Sequence, residues 1–212
     1  MLIAEAEVYP VALKAPRVAA RPTRRFALSA IAIAALALPR HATAQMIPDG
    51  TLAHGTLSFD ANATLGAFTG ITHEMTGRLG GAATLAGVHG WVESKTATLT
   101  TNNGHRDRDM ATSLDTSQYP TMRFDLDSIA VAGAPGDSTP VTLHGHFTIH
   151  GTTKAADIAG WITTAADSAR FRGSTVMDVK DYGVGHLSKA LGILRMNEHI
   201  VVHVDVTFAL HR

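Results

Sequence analysis

Apolar and polar side chains alternate with a period of two from residue 45 onward, which is typical of β-strands that have one face in a core. The clearest segment is VTLHGHFTIHG, where Val141, Leu143, Phe147 and Ile149 fall on one side and the polar residues on the other. Convincing helical periodicity is almost absent. We therefore predict an all-β domain over residues 45–212, a single antiparallel eight-stranded barrel, with strands at about residues 51–60, 68–79, 86–93, 121–131, 140–150, 153–163, 169–180 and 199–210.

The apolar face of this barrel is expected to point inward, because the opposite face is too polar to contact lipid. An eight-stranded barrel is just wide enough to be filled by side chains or to hold one small ligand. Aromatic residues make up only 6% of the chain, and four glycines, Gly90, Gly145, Gly160 and Gly173, fall inside predicted strands. A glycine in a strand marks a bend, a bulge or room for something else. The composition leaves a filled barrel and a hollow one as open alternatives.

The first 44 residues have the pattern of a secretory signal. A basic stretch, RPTRR, precedes an apolar run of 13 residues from Phe26 to Leu38, and Ala42 to Ala44 form an A-x-A cleavage site. As a helix this run is about 20 Å long, too short for a hydrocarbon core of about 30 Å. We expect residues 1–44 to be cleaved, leaving Gln45 as the first residue of a periplasmic or secreted protein without stable membrane insertion.

Charge and cysteine content exclude several classes of function. The chain has 18 basic and 18 acidic residues, so it lacks the positive surface expected of a protein that binds nucleic acid. It contains no cysteine, which excludes disulfides, thiolate catalysis and Cys-ligated metals.

A charged stretch, HRDRDM, lies between two predicted strands. Met110 and Leu114 are spaced as an i, i+4 apolar pair on a short helix, which we expect to seal one end of the barrel. We expect ion pairs to hold this helical link closed, formed by Arg106 and Arg108 with Asp107, Asp109 or Asp115. An active site would need a nucleophile, a base or a set of metal ligands, and none is evident nearby. We therefore predict no catalytic residues and no enzymatic activity.

The twelve histidines raise a second possibility. His144 and His146 share a strand face about 6.8 Å apart, near enough to bind a transition metal together with a third donor. His150, His199 or His203 would supply that donor. The alternative is that all of these side chains are solvated on the outer face of the barrel.

Several motifs together resemble the YceI family. They are HRDRDM, SLDTSQYPTMRFDLDSI, VTLHGHFTIHGTTK, FRGSTVMDVKDYGVG and LGILRMNEHIVVHVDVTF, in this order along the chain. The resemblance implies a lipocalin-like barrel of the bacterial periplasm that binds polyisoprenoid lipids. It implies no catalytic residues.

These observations lead to one expectation and two alternatives. We expect a carrier or sequestering protein that holds a long apolar, polyisoprenoid-like chain in the barrel lumen, with no cofactor besides this lipid and with a homodimer as an open alternative to a monomer. The alternatives are a histidine-rich metal- or haem-handling protein and an interaction module with a filled barrel. The side chains expected to contact the lipid are Leu57, Phe59, Ile71, Val88, Phe124, Leu126, Val141, Leu143, Phe147, Ile149, Phe171, Met177, Val202, Val204 and Phe208.

Overall fold

A computed structural model describes residues 46–64, 66–134, 136–184, 188–189 and 194–211. The predicted signal region, residues 1–44, lies outside the described residues. The strands are β1 (Gly50–Ala63), β2 (Gly66–Thr72), β3 (Met75–Gly80), β4 (His89–Lys95), β5 (Thr121–Val131), β6 (Thr139–Ile149), β7 (Thr152–Thr164), β8 (Ser168–Asp178), β9 (Ser188–Lys189), β10 (Leu194–Arg195) and β11 (His199–Leu210). In this part of the chain one α-helix, α1 (Gly104–Ser113), links β4 to β5. None of the helices described is long and apolar enough to cross a membrane.

The large sheet closes on itself as an eight-stranded antiparallel barrel, which confirms the predicted fold. The strands follow one another around it in the order β1, β11, β8, β7, β6, β5, β4, β3 and back to β1. The closing pair joins β1 to β11 from Gly50 opposite Leu210 to Asp60 opposite Val201. Among the described residues, the short strands β9 and β10 pair with each other and not with the large sheet. Where the connection is short, as between Ile149 of β6 and Thr152 of β7, the turn itself requires an antiparallel pair, because so few residues cannot join parallel strands.

The predicted strand at 68–79 is divided into β2 and β3, which follow a single register along β1. Leu57 lies opposite Thr72 before the break, and Gly50 lies opposite Leu79 after it. Seven residues separate the two positions on each strand, so the register of the pairing with β1 does not shift across the break. The break falls at residues 73–74, after which β3 pairs with β4 along its whole length and with β1 at Arg78 and Leu79. The free edge of β2 is instead joined to the link that precedes α1, through two hydrogen bonds between Ile71 and Thr100.

Aromatic rings lie close to two strand glycines on the inside of the barrel. A methyl group built on Gly160 would come within 2.3 Å of the carbonyl oxygen of Arg172 and 2.8 Å of the Phe171 ring. One built on Gly145 would come within 2.1 Å of the carbonyl oxygen of Asp125 and 2.7 Å of the Phe124 ring. The register shift of β5 between Leu126 and Ser128 lies directly opposite Gly145, whereas the strand pairs that contain Gly160 have no shift. Glycine at these two positions therefore allows both the backbone of the neighbouring strand and an aromatic ring to approach closely.

The outer face carries cross-strand pairs of histidine and aspartate. Such pairs stabilise a sheet modestly because both partners remain at the surface. They are His144 with Asp157 (2.7 Å), His146 with Asp127 (2.8 Å) and His203 with Asp60 (3.0 Å). A hydrogen bond from Thr69, followed by that from His203, holds the pKa of Asp60 below its ordinary value. His144 and His146 thus face different carboxylates, and the described residues include no group of three side chains placed to hold a metal ion.

We predict that Gly160→Ala lowers the free energy of unfolding by about 1–3 kcal/mol, because the added methyl would overlap the carbonyl oxygen of Arg172 and the Phe171 ring. Urea denaturation of the purified protein measures the change. Gly136→Ala is the matched control, since its methyl would meet nothing closer than 4.0 Å. Equal stability of the two variants would show that the wall around Gly160 is not packed as closely as described.

We also predict that replacing His144 and His146 together by threonine changes the free energy of unfolding by no more than about 0.5 kcal/mol, as is usual at surface positions. Threonine keeps the strand propensity of both positions. Denaturation curves and metal analysis of both proteins test this prediction. Stoichiometric metal in the wild type that disappears in the variant would support the metal-binding alternative.

Candidate functional site: an apolar cavity in the barrel

A cavity of about 1260 Å³ occupies the interior of the barrel. Every strand of the closed barrel contributes to its lining, together with α1, β2 and the 3-10 turn Val179–Tyr182. The lining side chains are predominantly aliphatic and aromatic, and the volume exceeds the roughly 300–1,000 Å³ that is usual for pockets of drug-sized ligands. The barrel is therefore hollow and not filled by its own side chains.

All but two of the side chains expected in the lumen line this cavity. They are Leu57, Phe59, Val88, Phe124, Leu126, Leu143, Phe147, Ile149, Phe171, Met177, Val202, Val204 and Phe208. Val141 is buried in the core but does not reach the cavity. Ile71 is half-buried and outside the lining, because the buried residues of β2 are its neighbours Gly70 and Thr72. The alternation of β2 is thus the reverse of the predicted one, whereas a lipid-binding role for the lining residues stays a prediction.

Several residues that were not predicted to face the lumen also line the cavity. Ile200 and Val206 follow the same alternation as Val202 and Val204 on β11, so the pattern that predicted the others extends to them. Tyr182 comes from the 3-10 turn, which strand periodicity does not reveal. Burial of its side chain, followed by the charge of Asp181, raises the pKa of Tyr182 above its ordinary value, so the phenol is uncharged at neutral pH.

The helical link lies at one end of the cavity, hereafter the α1 end, beside the hairpin between β1 and β2. Asn103 caps the helix, and its side-chain oxygen accepts hydrogen bonds from the backbone N–H groups of His105 (3.1 Å) and Arg106 (3.2 Å). Met110 and Leu114 both line the cavity, as the proposed i, i+4 apolar pair requires. The helix therefore covers this end of the lumen with an apolar face.

In the part of the chain that the structure describes, hydrogen bonds between Asp107 and two threonines hold the link in place, and the charge of Arg106 acts on Asp107 as well. Asp107 accepts hydrogen bonds from the hydroxyl of Thr100 (2.8 Å) and from the backbone N–H (2.8 Å) and hydroxyl (2.6 Å) of Thr101. These bonds, that of the Thr101 hydroxyl first, hold the pKa of Asp107 below its ordinary value. Because the folded-state pKa is lowered, this contribution to stability is present at neutral pH and is lost only as the pH falls through that lowered pKa.

Polar residues of the link line the same end of the cavity and form what we call the α1 rim: Asn103, His105, Arg106, Asp109 and Ser113. The guanidinium carbon of Arg106 lies 4.2 Å from the ring centroid of Phe68, which itself lines the cavity from β2. This distance is that of a cation–π contact. The apolar interior thus ends in a polar rim beside α1.

The barrel is similar to proteins that are already known. The YceI-like domain model matches residues 49–210. The crystal structure of Burkholderia cenocepacia BcnA is similar in fold, with a TM-score of 0.61 and 15% identity over 72% of this chain and 95% of that one. A polyisoprenoid binding domain from Saccharophagus degradans, implicated in plant cell wall breakdown, has a TM-score of 0.62 and 14% identity over 78% of this chain and 99% of that one. Among curated proteins, none matches this sequence.

Sequence identities this low establish a shared fold and no more. The match to the YceI-like domain model does not depend on these identities, and it spans well over half of the chain, from the first barrel strand to the last. The chain belongs to the family of YceI-like domain proteins.

Proposed function

We propose that this protein binds one long apolar chain of the polyisoprenoid class inside the barrel and carries or sequesters it without catalysing a reaction. The observation that carries the proposal is the apolar cavity of about 1260 Å³ that the closed barrel encloses. The similar fold of a polyisoprenoid binding domain supports the choice of ligand class. The basic stretch, apolar run and A-x-A motif of residues 1–44 support a periplasmic or secreted location.

Burial of the chain is the mechanism. Each CH₂ group removed from water contributes about 0.8 kcal/mol, so ten to fifteen carbons contribute roughly 8–12 kcal/mol. Association costs roughly 4–15 kcal/mol in lost freedom, which a short chain does not offset. A long chain is therefore the ligand that the cavity selects.

The proposal predicts that protein purified without detergent or denaturant releases a long-chain lipid into organic solvent, at up to one molecule per barrel. Mass spectrometry of the extract identifies it and gives its amount relative to protein. The control is a double variant, Leu143→Asp with Phe147→Asp, which places two carboxylates in the apolar lumen. This variant should abolish the lipid signal. Equal lipid in both samples, or none in the wild type even after exposure to prenols, would contradict the proposal.

Phe147→Ala separates a ligand-holding barrel from a close-packed one. The Phe147 ring packs against Phe124, with 4.7 Å between centroids, and faces the cavity on its other side. Removing it enlarges an existing space, so delipidated protein should lose less than the roughly 3–5 kcal/mol typical of a Phe→Ala change in a filled core. Lipid should stabilise the variant less than it stabilises the wild type.

Denaturation curves with and without extracted lipid measure both effects. Val141→Ala is the matched control, because Val141 is buried away from the cavity and its loss should be the same in both conditions. The proposal fails if delipidation leaves the wild type unchanged and Phe147→Ala loses the same amount with and without lipid.

A further inference from the structure

The wall of the barrel has a gap between β7 and β8, hereafter the β7–β8 gap. The two strands pair from the hairpin that joins them as far as Ala159 opposite Ser174, and in the described part of the chain their pairing ends there. Each strand nevertheless continues with its other neighbour, β7 with β6 back to Thr152 and β8 with β11 on to Asp178. The two strands therefore diverge, and the described segments on either side of the gap are not joined by a hydrogen-bonded ladder.

A groove of about 620 Å³ lies at this gap. Two of the residues that line it, Met177 and Tyr182, also line the lumen, and both are buried. The lining comes from both strands and from the 3-10 turn: Lys154, Ala155, Ala156, Asp157, Thr175, Val176, Met177, Asp178, Asp181 and Tyr182. At the β7–β8 gap the groove and the lumen are thus separated by side chains and not by a pair of hydrogen-bonded strands.

The outer surface of the groove carries an apolar residue where the rest of β8 is polar. Val176 is 68% exposed, whereas the preceding outward positions of the strand are Arg170, Arg172 and Ser174. A single exposed aliphatic residue is common at a protein surface, but this one directly precedes Met177 in the chain. An apolar path therefore leads from the solvent to the side chains that separate the groove from the lumen.

Opening this separation requires movement of side chains and not of the sheet. Met177 has an unbranched side chain with three rotatable bonds, which adapts to spaces of different shape. The turn that carries Tyr182 is held in place, because the Val179 N–H donates to the carbonyl oxygen of Glu198 (3.0 Å) and His150 Nδ1 donates to that of Tyr182 (3.3 Å). Rotation of the two side chains breaks no strand hydrogen bonds, whereas passage through a paired part of the wall would break several, each of which contributes to stability.

We propose that the β7–β8 gap is the route by which the apolar chain enters and leaves the lumen, and that the side chains of Met177 and Tyr182 form its gate. A carrier must take up and release a ligand that it buries, and at this gap the ligand meets the least obstruction by backbone hydrogen bonds. A chain that slides along Val176 reaches the gate with part of its apolar surface already removed from water. This inference rests on the proposed function and adds the path that its ligand takes.

A covalent bridge across the gap tests this route. The chain contains no cysteine, so Ala155→Cys combined with Val176→Cys gives two unique thiols on opposite sides of the groove. The delipidated variant is bridged with a short bis-maleimide, and stopped-flow fluorescence follows uptake and release of a long polyprenol that carries an anthraniloyl ester. The bridge should slow both rate constants by about tenfold or more, because the gate can no longer widen. The dissociation constant should stay within about twofold, because the bridge lies at the surface and a route changes rates without changing the equilibrium.

Two controls separate the bridge from the chemistry that forms it. The same variant treated with N-ethylmaleimide carries modified thiols that are not connected. Ala159→Cys combined with Ser174→Cys places the same bridge across the last paired residues of the two strands, which are both exposed. Each control should keep uptake and release within about twofold of the wild type.

The route is overturned if the bridge across the gap leaves both rate constants within the range of the two controls, which would place entry elsewhere in the barrel. A changed dissociation constant with an unchanged rate of uptake would overturn it as well, because the bridge would then act on the bound state. Failure of the unmodified wild type to bind the labelled polyprenol would instead contradict the proposed function itself, and the route with it.

Discussion

The pairing of β1 with β11 is the interaction on which the rest of the structure depends, because it turns an open sheet into a closed wall. An open sheet of these strands would leave two edges and one apolar face in water. Closure removes both edges and directs every second side chain toward a common axis. The number of strands then sets the diameter of the interior, and the size of the inward side chains decides whether that interior is filled.

In this barrel the inward side chains do not fill the interior, and the glycines explain part of the deficit. The rings of Phe124 and Phe171 lie against the wall over glycines, so their volume is placed at the periphery. A close-packed core gains dispersion energy from contacts on all sides, whereas side chains that line a cavity make protein contacts on one side only. A long apolar chain would supply those contacts. Ligand binding and barrel stability therefore both depend on the burial of the apolar side chains that line the lumen.

The fold could be predicted largely from the alternation of apolar and polar residues, because successive side chains of every barrel strand point alternately into and out of the barrel. The bounds of β5 and β11 agree with the predicted strands at 121–131 and 199–210. Prediction failed where long-range pairing decides the outcome. Ile71 turns away from the lumen because of how β2 pairs with β1 and with Thr100, and neither pairing is visible in the local sequence. The contact of Arg106 with Phe68 joins residues far apart in the chain, so the α1 rim emerged only from the structure.

Filling of the lumen by a long chain is the central claim, and the stability of delipidated protein at increasing concentrations of a long polyprenol tests it most directly. A ligand that binds only the folded barrel raises the free energy of unfolding by RT ln(1 + [L]/Kd), about 2.7 kcal/mol at one hundred times Kd. The account predicts this logarithmic rise for the long polyprenol and little or none for isoprenol, which buries too few carbons to offset the cost of association. A free energy of unfolding that stays constant across the long-chain titration would contradict it.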